Sequence, residues 1–85
     1  MTTKADCAKK IAEYLDDQIS HDDLVKWAWE ALVEEDFPED HAPILFEVLM
    51  DISASKSAAF AHSAEDYKSH LRRLGYRLES RLVAA

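Results

Sequence analysis

Pro43-Ile44-Leu45-Phe46-Glu47-Val48-Leu49-Met50-Asp51-Ile52 is the stretch that decides how this chain folds. Seven of its ten residues are large and apolar, and its only charges are Glu47 and Asp51. Ile44, Leu45, Val48, Leu49 and Ile52 recur at i, i+1, i+4, i+5 and i+8, the period of a helix with a wide apolar face. Phe46 and Met50 widen that face, so this helix is expected to have neighbours on most sides. Glu47 and Asp51, four residues apart, share one narrow stripe. Pro43 suits the first helical position, where the missing N–H has no helical partner in any case. From Ser53 onward serines weaken the pattern, and the helix is expected to end near Ser55, with Phe60 packing inward from the connection that follows.

Working outward, the clearest boundary lies upstream. Ser20-His21-Asp22-Asp23 is a capping-box variant, in which the Ser20 hydroxyl accepts from the Asp23 amide and the Asp23 carboxylate reaches back to the Ser20 amide. Ile19 and Leu24 form the accompanying hydrophobic staple. The helix that starts there carries Leu24, Ala28, Ala31 and Leu32 on one stripe and fades into Glu34-Glu35-Asp36. Trp27 and Trp29 stand about 200° apart on a helix, so both cannot point into one small core. At least one belongs at an edge, where it covers a helix crossing or anchors a partner. A first helix is expected over Lys4–Asp17, capped by Thr2 or Thr3, with Ala8, Ile11, Ala12 and Leu15 inward and Cys7 and Tyr14 at the margin.

Downstream, the link from Asp36 to Pro43 holds both prolines, a short helical turn capped through Asp36-x-x-Glu39, and Phe37 as a core plug. Ser63-Ala64-Glu65-Asp66 is a second capping box, and Tyr67, Leu71, Leu74, Leu78 and Leu82 continue as one helical stripe through Gly75. The same tail also alternates, with Tyr76, Leu78 and Leu82 set against Arg77, Glu79 and Arg81, and Gly75 is a natural helix stop. A strand here would have to pair across a dimer, since no other segment reads as one. A helix continuing past Gly75 is the preferred expectation. The fold class is therefore all-α: a single domain built as a compact four-helix bundle with short connections.

Composition bounds the function. A chain of 85 residues with one Gly, two Pro and one Cys is a small helical domain without an internal disulfide. Its net stability is expected near about 5 kcal/mol, which leaves little for a strained active site. No apolar leader opens the sequence and no apolar run reaches membrane-spanning length, so a cytoplasmic protein is expected. His21, His41, His62 and His70 fall in no zinc pattern, and Asp66/His70 reads as a surface ion pair. There is no phosphate-binding glycine loop and no nucleophile elbow, so no enzyme activity and no cofactor are expected.

Charge is unevenly placed. Between Glu13 and Ser55 thirteen acidic residues face one basic residue, Lys26. From Tyr67 to Ala85 five basic residues face one acid, Glu79. The acidic middle repels nucleic-acid phosphates and favours a partner with a basic surface, or serves solubility alone. Lys68, Arg72, Arg73 and Arg77 form a basic strip, read as neutralising the acidic helices within the monomer or across a dimer rather than as a nucleic-acid site.

Tyr14-Leu15-x-x-x-Ile19-Ser20-x-x-x-Leu24-Val25-x-Trp27-Ala28, followed by an acidic loop and an apolar helix, resembles small helical bacterial proteins of the colicin-immunity type. The resemblance covers the first half of the chain. It implies an acidic helical protein that binds and blocks a basic toxin domain, often a nuclease; the basic tail departs from a uniformly acidic inhibitor, and no individual site residue carries over. The function expected from the residues is protein binding. Trp27 or Trp29 would anchor a basic partner, and Glu30, Glu34, Glu35, Asp36, Glu39 and Asp40 would steer it. The alternative is self-association, with the basic fourth helix of one chain against the acidic face of another.

Overall fold

The computed structural model describes residues 2–54, 64–79 and 81–84. Four helices run in order: α1 (Lys4–Leu15), α2 (His21–Glu34), α3 (Ala42–Ala54) and α4 (Ala64–Arg73). A 3-10 turn at Glu39–His41 precedes α3, and two short strands, β1 (Tyr76–Leu78) and β2 (Leu82–Ala84), follow α4. The expectations placed on Phe60, His62 and the Ser63 cap fall outside the described residues.

Local chemistry sets the helix starts. Thr3 caps α1 with a full capping box, its hydroxyl accepting from the Asp6 amide at 3.1 Å and the Asp6 carboxylate accepting from the Thr3 amide at 3.0 Å. Ser20 caps α2 in the same way, its hydroxyl accepting from the Asp23 amide at 3.1 Å and the Asp23 carboxylate accepting from the Ser20 amide at 3.4 Å. The ends were less visible in the sequence. Helix α1 stops at Leu15 instead of Asp17 because Asp17 adopts the left-handed conformation, φ 57°. There the Asp17 amide donates to the Tyr14 carbonyl and the Gln18 amide donates to the Glu13 carbonyl at 2.8 Å, the two bonds of a Schellman end. Glu35 ends α2 likewise, at φ 51°. Both positions favour Gly, and neither has one.

One hydrophobic cluster draws on all four helices, with Ile11, Leu24, Leu45, Leu49, Ile52, Tyr67 and Leu71 fully buried. Cys7 is as buried as Ile11, so the inward face of α1 is turned toward Cys7 and Ala8, while Ala12 and Leu15 are half-buried. Tyr14 joins α1 to α4 through Tyr67, ring centroids 5.1 Å apart, and touches His21 at the head of α2. Phe37 packs against the core from the link, as expected of a plug. The 3-10 turn forms, but no side chain caps it; Pro38 precedes it and the Pro38 carbonyl accepts from the His41 amide.

The tail corrects the preferred expectation. Gly75 at φ +89° ends α4, and the chain turns into an antiparallel hairpin with Tyr76 opposite Ala84, Arg77 opposite Val83 and Leu78 opposite Leu82. The pairing is within the chain, so no dimer is required. Tyr76, Leu78 and Leu82 pack against the core, which gives the short hairpin the apolar support that an isolated one lacks. The fold is a mainly helical domain with a small two-stranded sheet added to its C-terminal end.

Candidate functional site

Helices α2 and α3 form an antiparallel hairpin. The first turns of α2 (Asp22, Val25, Lys26, Trp29) share a cavity of about 330 Å³ with Ser53 at the end of α3. At the other end, Glu35 and Phe37 share one of about 530 Å³ with Ala42, Pro43, Phe46 and Glu47. The hairpin buries its inner stripe, and its flanks meet the other helices. Trp27, half-buried, lies beside Thr2, Asp6, Lys10 and Glu13 of the N-terminal segment and α1. Glu47 and Asp51, on the far flank of α3, meet Arg73 of α4 at 3.0 and 3.6 Å.

Helices α2 and α3 also carry apolar side chains that stand exposed. Trp29 is 58% exposed, Val33 65%, Phe46 46% and Met50 45%, the exposed large apolar side chains among the described residues. Trp29 and Val33 are one turn apart on α2, and Phe46 and Met50 one turn apart on α3, so each pair is a row along its helix. Trp29 lines the hollow at one end of the helix pair and Phe46 the hollow at the other. Phe46 and Met50 were expected to be covered, because a helix as apolar as α3 reads as surrounded. The structure covers α3 on the Ile44, Val48 and Leu49 sides and leaves the Phe46–Met50 side open. Val33, Phe46 and Met50 are the site residues that sequence reasoning missed. Their apolar character was visible, but nothing local showed which side of the helix lacks a neighbour.

The two tryptophans separate. Trp27 covers the crossing of α1 and α2, whereas Trp29 points outward on the opposite flank. Of the two, Trp29 is the one exposed enough for an anchoring role. Glu30, Glu34, Glu35, Asp36, Glu39 and Asp40 are all exposed. They cluster at the C-terminal end of α2 and in the link to α3, at the end of the helix pair marked by Val33 and Phe46. The Asp36 carbonyl also accepts from the Thr2 amide at 2.8 Å, which ties the acidic link to the N-terminal segment.

The basic strip is largely occupied within the chain. Arg73 bridges to Glu47 and Asp51, Lys68 lies 3.6 Å from Glu65, and Arg77 lies 3.7 Å from Glu79. His70 is buried beside Tyr67 rather than on the surface, and its Nδ1 stands 3.5 Å from Nη1 of Arg73. Among the described residues no group of three His, Cys, Asp or Glu side chains could hold a metal ion, and no helix is long and apolar enough to cross a membrane. Burial pushes the Cys7 thiol up to about 12, with the Asp6 carboxylate adding to the effect, so the side chain is a neutral core residue and not a nucleophile. A separate cleft of about 610 Å³ lies between α1, α4 and the β1–β2 strand pair, where Lys9, Lys68 and Arg81 are balanced by Glu13, Asp16 and Glu79.

Comparison with protein-family models, with curated proteins and with solved structures finds no match to this chain.

Proposed function

We propose that this chain is a protein-binding module whose α2–α3 face engages a partner with a basic surface, in the manner of an immunity- or antitoxin-type inhibitor. One observation carries the reading: Trp29 and Val33 on α2 and Phe46 and Met50 on α3 stand exposed on the packed helix pair that holds the most acidic stretch of the sequence. Isolated apolar side chains on a surface need no explanation, but two adjacent rows rimmed by like charge suit an interface with an apolar centre. The acids Glu30, Glu34, Glu35, Asp36, Glu39 and Asp40 raise the encounter rate with a basic protein, and Trp29 supplies the buried contact that slows dissociation.

The test compares the immobilised chain with its Glu34→Lys/Glu35→Lys/Asp36→Lys form. The unaltered chain is expected to retain a basic polypeptide in a salt-sensitive way, and the charge-reversed form to lose it. A retained set that is the same for both forms would show that the acidic face serves solubility alone. If the retained protein is a nuclease or other toxin, adding the free chain is expected to inhibit it.

A further inference from the structure

The α2–α3 seam has a shape as well as a composition, with a hollow at each end and exposed apolar side chains on both helices. Its walls are two antiparallel helices, and each wall offers apolar side chains at a spacing of four residues. From Val25 to Val33 the α2 wall is about 12 Å long, or roughly two helical turns. The walls present no unpaired backbone donors or acceptors, since those of a helix interior bond within the helix. An extended strand laid in this groove would leave its own N–H and C=O groups without partners, whereas a helix satisfies its own and presents only side chains. Ridges at i and i+4 on both walls accept the ridges of a third helix.

Charge identifies the sign of that helix. Among the described residues the rim carries Asp22 and Glu30 on the α2 side and Glu35 beyond the Phe46 end, against Lys26, while Glu47 at that end is met by Arg73. A second copy of this chain, with its formal charge of −7, would bring the same acids to the same rim. Its cations Arg73, Lys68 and Arg77 already stand beside acids of their own chain.

We infer that the groove between α2 and α3 receives a positively charged amphipathic helix of a partner protein. About two turns of it lie between the Trp29–Val33 and Phe46–Met50 rows, and its Lys and Arg side chains face the acidic rim. This deepens the protein-binding reading and rests on it.

The probes are two synthetic peptides of the same leucine and lysine composition. One places its leucines at i, i+3, i+4 and i+7, and the other scatters them. Trp27→Phe leaves Trp29 as the sole tryptophan, whose fluorescence reports binding in the groove. The helical peptide is expected to blue-shift Trp29 and to bind at least about tenfold tighter than the scattered one, an advantage of roughly 1.4 kcal/mol. Val33→Glu and Met50→Glu, at exposed positions that leave the core intact by circular dichroism, are expected to remove that advantage. Equal binding of both peptides, governed by salt alone, overturns the helical groove while the acidic-face reading stands. No binding of either peptide at low ionic strength overturns both. A chain that sediments as a dimer and becomes a monomer on Met50→Glu puts a second copy in the groove and overturns the partner helix.

Discussion

Arg73 at the end of α4 donates from Nη2 to Oε2 of Glu47 on α3, 3.0 Å away and 26 residues distant in sequence. Its other terminal nitrogen stands 3.6 Å from Asp51, so one guanidinium spans both charges of the α3 stripe. The acidic stripe that the sequence leaves facing outward stays at the surface and is met there by the chain's own basic helix. The strongly acidic surface is the neighbouring one, at the end of α2 and in the link.

The Arg73–Glu47 pair is half in solvent, and its contribution is correspondingly modest. A double-mutant cycle on Arg73→Met and Glu47→Gln is expected to give a coupling of about 0.5–1 kcal/mol at low salt, after allowing for screening. The coupling should shrink as ionic strength rises. A coupling of zero at low salt would mean that α4 is held to α3 by apolar contact alone.

Leu49 and Met50 are adjacent in sequence and opposite in role. Leu49 is fully buried, and Leu49→Ala is expected to cost about 2–5 kcal/mol, enough to unfold much of a domain this small. Met50 is 45% exposed, and Met50→Ala is expected to cost less than about 1 kcal/mol. Urea unfolding of the two variants checks the contrast. Equal losses would mean that the Met50 side of α3 is covered.

Two backbone positions should respond in opposite senses. Asp17 sits at φ 57° in the Schellman end of α1, so Asp17→Gly is expected to stabilise by about 0.5–1 kcal/mol. Gly75 sits at φ +89° with nothing within 4 Å of an added Cβ, so Gly75→Ala meets backbone strain alone. Its expected cost is about 1–2 kcal/mol. Thermal melts resolve both, at about 4–8 °C per kcal/mol for a domain of this size. A rise in melting temperature for Gly75→Ala would restore the continuous helix.

Cys7 links stability to alkaline pH. In the unfolded chain the thiol ionises from 9.0, whereas in the core burial pushes it up to about 12. The folded state therefore holds the neutral thiol that the unfolded state gives up. Its contribution is complete below pH 9.0 and is lost as the pH rises through about 12. Cys7→Ala is expected to be the less stable protein at neutral pH, by about 1 kcal/mol, with the gap closing above pH 9.0. A gap independent of pH would place the thiol in contact with water. Alkylation of the native thiol should proceed only through unfolding or local opening.

The tail shows why one pattern can serve two structures. Leu78 and Leu82, four residues apart, share a face of a helix. They also stand directly opposite one another in a hairpin with three residues between them. Periodicity alone cannot separate the two. Gly75 in the left-handed region separates them, because it stops α4 and turns the chain so that the two leucines reach the core as a cross-strand pair.

The sequence by itself determined where α1 and α2 start, which stripe of α2 and α3 is buried, and where the acid lies; α3 begins at Ala42, one residue before the expected Pro43. Those follow from side-chain chemistry within a few residues: Thr3 and Ser20 as caps, Leu24 and Leu45 at helical spacing, and the run of Asp and Glu. Only the tertiary structure decided that Trp29 stands out while Trp27 covers α1, that Phe46 and Met50 are half-exposed, that Arg73 takes both α3 carboxylates, and that the tail folds back on itself. Periodicity specifies which side chains share a face of a helix. Whether that face is covered depends on where distant segments pack, and no local pattern records that.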